Sequence, residues 1–248
     1  MPQQKIRLDI ALTDQNLVPS RQRAQALILA GKVLVNQVPV TKPGTRITKD
    51  DRIRIKPYDL PFVSRGGIKL SKAIERFRID TLNRNCMDVG ASTGGFTDCL
   101  LQKGAARVVA VDVGYGQLAW KLRQDPRVIV LERANIRHLP LESVPFPIDL
   151  VVIDVSFISL KIVVPAVKKF LGKHADLLPL IKPQFEVGKG HVGKGGVVKD
   201  VMLHRQVVES LQRFFLTSGF DVHGVIESPI KGPKGNTEFL CHLTHSAV

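Results

Sequence analysis

Hydrophobic and polar positions along this chain follow two different periods, and the places where the period changes mark its elements. Ser20 stands where a helix cap belongs, ahead of residues 21–30, whose apolar face includes Leu27 and Ile28. Gly31 follows where such a helix stops, and Arg21 and Arg23 project from its first turn. Residues 32–36 read as a strand, with a turn through Gln37 leading to Pro39 and Val40. Residues 52–56 alternate strictly, Ile53 and Ile55 inward and Arg52, Arg54 and Lys56 outward. Beyond residue 60 the strands become short apolar runs, at 86–89, 107–111, 150–153 and 176–181. A helix opens at Ser64-Arg65-Gly66-Gly67-Ile68-Lys69-Leu70 and runs through Phe77, another covers 97–102, and a final strand starts in the string from Gly235 to Leu240.

The first of those runs, Cys86-Met87-Asp88-Val89, enters Gly90-Ala91-Ser92-Thr93-Gly94-Gly95-Phe96 and then a helix. The next strand ends at Asp112, 22 residues past Gly90 (112 − 90). Strand, glycine-rich turn, helix, strand and acid form one half of a Rossmann-like fold, in which the acid meets a ribose hydroxyl. Ser92 occupies the position where a dinucleotide site carries the glycine that lets backbone approach a pyrophosphate. That departure weakens a nicotinamide reading and suits a nucleoside without phosphates, such as S-adenosylmethionine. Asp88, Gly90, Ser92 and Gly94 are then expected on its methionine side and Asp112 at its ribose, with Gly114-Tyr115-Gly116-Gln117 near the adenine. A second glycine-rich string, Gly188 to Gly195, satisfies the glycines and lysine of a P-loop, but Gly195 stands where a hydroxyl must ligate magnesium, and no helix follows at once. Nucleotide hydrolysis is not expected.

Charge adds the partner. Lys and Arg number 36 against 22 acids, a net +14 with pI near 10.0, which favours polyanions. Residues 1–60 hold 11 of those basic residues and only 5 of the acids, so the first quarter is the denser in net charge. The arginines of its helix and the outward cations of residues 52–56 make a candidate phosphate-reading surface. Three cysteines without Cys-x-x-Cys spacing exclude a disulfide framework or zinc ribbon, and no metal site is expected. Cys241-His242-x-x-His245 has no second ligand pair and reads as strand. The opening residues contain no secretory-type apolar run, and the most apolar stretch, residues 150–167, carries Asp154 and Lys161. A cytoplasmic protein without stable membrane association is expected.

Four scattered charges carry the chemistry. Asp154 ends the run 150–153 and Lys182 the run 176–181, both at the edge where open α/β sheets bind ligands. Lys69 lies in the first turns of the helix from residue 64, and Glu238 opens the last strand. Singly, each reads as a surface ion pair.

Two resemblances organise these observations. Ser20-Arg21-x-x-Ala24-x-x-Leu27-Ile28-x-x-Gly31-x-Val33-x-Val35-Asn36 resembles the alpha-L RNA-binding motif, which implies that the module binds structured RNA through Arg21 and Arg23. Lys69, Asp154, Lys182 and Glu238 match in order and context the Lys-Asp-Lys-Glu tetrad of the FtsJ-like 2'-O-ribose methyltransferases. The strings Ser64-Arg65-Gly66-Gly67, Asp154-Val155-Ser156-Phe157-Ile158-Ser159 and Lys182-Pro183-Gln184-Phe185-Glu186 narrow the resemblance to the TlyA family, ribosomal RNA 2'-O-methyltransferases also called hemolysins. It implies an α/β protein: a small N-terminal α+β alpha-L RNA-binding domain over residues 1–60, then a Rossmann-like class I methyltransferase sheet over 61–248. The implied cofactor is S-adenosylmethionine, held by Asp88, Gly90, Ala91, Ser92, Gly94, Gly95, Phe96, Asp112, Asn135 and Asp154. Asn135 departs from the wider pattern, where an acid often reads the adenine amine. The implied partner is ribosomal RNA in ribosomal subunits, contacted by Arg21, Arg23 and Arg65. A ribose hydroxyl is a poor nucleophile, so methyl transfer needs a base, and a lysine serves only when burial or a neighbouring cation favours its neutral form. The expected roles are Lys182 as base, Lys69 as second cation, Asp154 orienting the Lys182 amine, and Glu238 holding Lys69 or the ribose. Two other classes compete. A membrane-active hemolysin would need an amphipathic helix or barrel segment that the pattern lacks, and a non-catalytic RNA binder would not need an intact tetrad.

Overall fold

Apolar residues of the first 55 positions close over a small core of their own. The computed structural model describes residues 5–18, 20–55, 61–193 and 195–246, and the chain divides into two units, Met1–Asp59 and Leu60–Val248. The first unit runs β1 (Ile6–Arg7), α1 (Leu8–Asp14), α2 (Arg21–Leu29), β2 (Val33–Val35), β3 (Val38–Val40), β4 (Arg46–Ile47) and β5 (Ile53–Ile55). β1 pairs with β4, and β2 lies between β3 and β5, all antiparallel. Leu8, Leu12, Leu27, Ile28 and Val33 fill the core. The Ser20 hydroxyl accepts a hydrogen bond from Arg23 N at 3.2 Å, satisfying one of the orphan donors of α2. Asn36 and Gln37, at φ +49° and +70°, make the two-residue left-handed turn that joins twisted antiparallel strands. Arg54 on β5 and Arg52 just before it are exposed, while Lys56 lies outside the described residues.

Periodicity gives no sign of the polar centre of this unit. Asp9, at the start of α1, is fully buried. Its carboxylate accepts from Arg7 Nε and Nη2 at 2.9 and 3.1 Å, from Arg21 Nε at 3.0 Å and from Gln25 Nε2 at 2.9 Å. The Arg7 hydrogen bond leads in holding this carboxyl well below the usual carboxylate range. Arg21, expected to project freely, is thus fastened by one edge of its guanidinium with about half its side chain exposed.

The second unit is built on one seven-stranded sheet. Its elements are α3 (Gly66–Phe77), β6 (Asn85–Val89), α4 (Gly95–Gln102), β7 (Arg107–Val111), α5 (Trp120–Arg123), β8 (Val128–Leu131), β9 (Ile148–Ile153), α6 (Leu160–Val167), β10 (Leu171–Ile181), α7 (Pro183–Glu186), α8 (Val201–Thr217), β11 (Asp221–Glu227) and β12 (Phe239–Ser246). Strand order is β11-β12-β10-β9-β6-β7-β8, with β12 antiparallel to both neighbours and β8, β7, β6, β9 and β10 mutually parallel. The apolar runs read from the sequence are continuous because parallel strands are covered on both faces. Leu150 and Val152 pack with Leu70 and Leu100 of α3 and α4. Val151 and Ile153 pack with Val163 of α6 and Phe215 of α8 on the other face. Strand order reverses between β6 and β9, which opens a crevice at their carboxyl ends. The far end of the sheet is pinned by Asp176 of β10, which takes Arg84 Nη1 and His242 Nε2, each at 2.6 Å. His242, singled out earlier for its spacing to His245, is therefore a side chain of β12 engaged with a carboxylate.

Asp9→Asn should speed hydrogen exchange of the α1 and α2 amides about tenfold at pH 7, the loss expected for one charge-assisted hydrogen-bond set. Because this carboxyl stays ionised to lower pH in the folded than in the unfolded state, the wild type should lose the same increment as pH falls below about 4. Equal exchange in the two proteins at pH 7 would contradict this account of the first unit.

Candidate functional site

The glycine-rich turn is shaped by how closely β6 and β9 finish beside each other. Asp154 N donates to Val89 O at 2.9 Å. Gly90 has φ +86°, and a Cβ there would stand 2.5 Å from the Asp154 carbonyl oxygen. Ser92, where a dinucleotide site has glycine, also adopts a left-handed conformation at φ +48°. Its N–H donates to Asp112 Oδ2 at 2.7 Å, and Gly114 N donates to Asp112 Oδ1 at 2.7 Å. The acid at the end of β7 thus braces two turns at once. A cavity of about 510 Å³ opens here, edged by Gly90, Ser92, Asp112 and Asn135 and walled by Val111, Ile136, Val155 and Ile158. Its volume and its few polar groups on apolar walls suit a nucleoside. Asn135 Oδ1 accepts from Arg137 N at 3.1 Å while the side chain edges the cavity.

Asp88 and Gly94 line neither this cavity nor its neighbour. Asp88 is fully buried, and its Oδ2 accepts from Thr97 N at 2.9 Å and Thr97 Oγ1 at 2.6 Å, so it caps α4 from behind. Burial pushes its carboxyl up to about 7. Gly94 is left-handed at φ +91°, and a Cβ there would meet Leu122 Cδ1 at 2.2 Å. Both residues shape the turn from behind it.

A second cavity, of about 300 Å³, adjoins the first, and Gly90, Ser92, Asp154 and Ser156 line both. The four charges read from the sequence meet in it, delivered by four separate elements. Lys69 comes from α3, Asp154 follows β9, Lys182 follows β10 and Glu238 precedes β12. They form two ion pairs: Lys182 Nζ to Asp154 Oδ1 at 2.6 Å, and Lys69 Nζ to Glu238 Oε2 at 2.6 Å. Both lysines are 8% exposed and Glu238 is fully buried. Lys182 Nζ also donates to the Ser156 hydroxyl at 3.0 Å. Lys69 can reach this point because Gly67 and Gly95 let the starts of α3 and α4 come together: a Cβ on Gly95 would lie 3.0 Å from Gly67 N, and one on Gly67 2.3 Å from the Phe62 ring. Gly232 allows the same closeness opposite, where a Cβ would stand 2.0 Å from Glu238 Oε1. That oxygen is buried and has no hydrogen-bond partner among the described residues. Ala91, Gly95 and Phe96 line the same cavity, and exposed Arg65 stands at its rim.

Sequence reasoning missed the aromatic lip. Phe157 is 90% exposed and holds φ +62°, a conformation costly for an aromatic residue. Its ring centroid is 4.9 Å from that of Phe185, and Lys182 Nζ lies 5.9 Å from the Phe185 ring. Nothing in the local spacing signals a left-handed Phe, although both residues stand in strings already singled out. The Gly188 to Gly195 string contains one short turn of 3-10 helix at Lys189–His191 and a bridge from Gly193 to Val197, while Lys194 lies outside the described residues. The hairpin is tied to the loop before β12 by buried Asn236, whose Oδ1 accepts from Val198 N at 3.1 Å and whose Nδ2 donates to Gly196 O at 3.0 Å.

Comparison with known proteins agrees with this geometry. Residues 62–245 match the FtsJ-like methyltransferase family and residues 6–53 the S4 domain. The Mycobacterium tuberculosis 16S/23S rRNA (cytidine-2'-O)-methyltransferase TlyA is 49% identical over 96% of this chain and 90% of its own. Hemolysin A of Brachyspira hyodysenteriae is 42% identical over 96% of this chain and 99% of its own. A solved Streptococcus thermophilus structure, described as a candidate hemolysin, superposes with a TM-score of 0.77 at 42% identity, covering 98% of this chain and 89% of that one. Adjoining nucleoside and two-ion-pair cavities on a switched α/β sheet, together with these matches, place the chain in the TlyA family of S-adenosylmethionine-dependent, FtsJ-like methyltransferases.

Proposed function

We propose that this protein methylates the ribose 2'-hydroxyl of cytidine in ribosomal RNA within ribosomal subunits in the cytoplasm, with Lys182 as general base. The observation that carries the reading is the Lys182 amine, 8% exposed, held between Asp154 and Ser156 where the nucleoside cavity meets the cleft of the second ion pair. When bound, S-adenosylmethionine supplies an electrophilic methyl group. The first cavity would hold its nucleoside between Asp112 and Asn135, with Gly90, Ala91, Ser92, Gly95, Phe96 and Asp154 along the turn toward the second cavity.

The chain's own residues divide the remaining work. Lys182 takes the proton of the 2'-hydroxyl, and Asp154, at 2.6 Å, fixes the direction of its amine. The Lys69–Glu238 pair forms the opposite wall and leaves Glu238 Oε1 able to accept from a sugar hydroxyl. Phe157, exposed and braced on Phe185, offers a face on which the target base stacks once it leaves its helix, as enzymes acting on nucleotides require. Arg65 at the rim, with Arg21 and Arg23 in the first unit, would contact RNA phosphate. No helix among the described residues is long and apolar enough to cross a membrane. The hemolysin names among the relatives therefore gain no support from a helical span.

Replacing Lys182 with Ala, or with Arg, should lower kcat by about 10² to 10⁴, the usual worth of a positioned base. Cofactor affinity measured by calorimetry should stay within about twofold, since binding does not need a base. Turnover retained in both variants would remove Lys182 from the role. Phe157→Ala should lower kcat/KM for the RNA about tenfold or more, the value of one base–aromatic stack, with cofactor affinity unchanged. Unaltered kinetics would take the base off that ring.

A further inference from the structure

A lysine that removes one proton per turnover must pass it on before the next, and two described groups stand within reach of Lys182 to take it. The amine is nearly buried. Among the described residues its neighbours within hydrogen-bond reach are the Asp154 carboxylate, 2.6 Å away, and the Ser156 hydroxyl, 3.0 Å away. The other charged groups in the cleft are Lys69 and Arg65 of the α3 region, Glu238 ahead of β12 and Lys231 of the loop beyond β11. Lys69 is engaged with Glu238, and Lys231 with Glu227 at 2.7 Å. Beyond Lys182, Glu186 of α7 is turned away, accepting from Ser159 Oγ at 2.6 Å and Leu160 N at 2.8 Å.

Asp154 could take a proton from the ammonium, but it would then lose the charge that orients the amine. Ser156 has no such charge to lose. Its hydroxyl accepts from Lys182 Nζ while retaining a proton to donate, and the residue is exposed to solvent. It also lines both cavities, at the seam between them.

We propose that Ser156 is the proton exit of Lys182, a positioning and relay residue for the reaction proposed above. The Lys182 ammonium gives one N–H proton to Ser156 Oγ as the Ser156 O–H proton passes to water or a buffer base. Serine ends unchanged, lysine ends as the neutral amine, and the base carries away one proton. No other bond changes. The inference rests on Lys182 being the base.

The test uses the full-length chain with ribosomal subunits and methyl donor at saturation, in dilute buffer, across pH 6–9. Ser156→Ala should lower kcat about tenfold, part of the 10² to 10⁴ carried by proton transfer. KM for the subunits and cofactor affinity should stay within about twofold, Ser156→Thr should retain most of the rate, and imidazole should restore Ser156→Ala while accelerating wild type little. A second readout needs no turnover: acylation of Lys182 by acetic anhydride in the cofactor-free protein, quantified by mass spectrometry. An acceptor on the ammonium favours the charged form, so a purely electrostatic Ser156 predicts that Ser156→Ala turns over faster, and a purely structural one predicts weaker acylation. The relay predicts slower turnover with acylation at pH 7 undiminished. An unchanged or increased kcat, a fall that imidazole does not relieve, or reduced acylation would overturn it. Turnover retained in Lys182→Ala would instead overturn the base assignment, and the relay with it.

Discussion

The site depends on the ion pair between Lys182 and Asp154, 2.6 Å apart just past the ends of the neighbouring strands β10 and β9. An ammonium taken nearly out of water costs several kcal/mol unless it is well paired, about the scale of a domain's whole stability. Parallel packing on both faces supports that arrangement. β9 and β10 are adjacent strands, and both end at the same edge, so the residues after them are neighbours by construction. Gly90 lets the third strand end beside them, since any side chain there would meet the Asp154 carbonyl. The second pair, Lys69 and Glu238, is assembled from helix and strand instead, through the glycines at the starts of α3 and α4 and through Gly232.

These constraints explain which glycines the sequence needs. Gly90, Gly94, Gly95 and Gly67 each occupy a place where backbone or side chain passes too close for a Cβ. They create two adjoining cavities rather than one, with Asp154 and Ser156 on the seam. Two cavities that meet at a nearly buried amine suit methyl transfer to a hydroxyl, in which donor and acceptor approach along one line.

Much of this was legible in the chain. Strands buried on both faces appear as unbroken apolar runs, and the residue after a parallel strand lies at the carboxyl edge by topology, where Asp154 and Lys182 stand. The spacing from Gly90 to Asp112 marked the nucleoside half in the same way. What was not legible depends on distant partners. The position of Asp88 before the turn gives no sign that its Oδ2 reaches back to Thr97. Asp9 gave no signal because its partners Arg7, Arg21 and Gln25 come together only when α1 packs on α2. Phe157 is left-handed against its own preference, and local propensity predicts the opposite. Such departures from local rules gather at functional sites, as at the lip of this cleft.

The measurement that tests the account most directly is the position of the transferred methyl group. Ribosomal subunits lacking the modification would be incubated with the purified protein and methyl-labelled S-adenosylmethionine, and the RNA then hydrolysed with alkali, which cleaves only where a 2'-hydroxyl is free. The account predicts label in an alkali-resistant dinucleotide whose 5' residue is cytidine. Label released entirely in mononucleotides would place the methyl on a base and contradict the central claim.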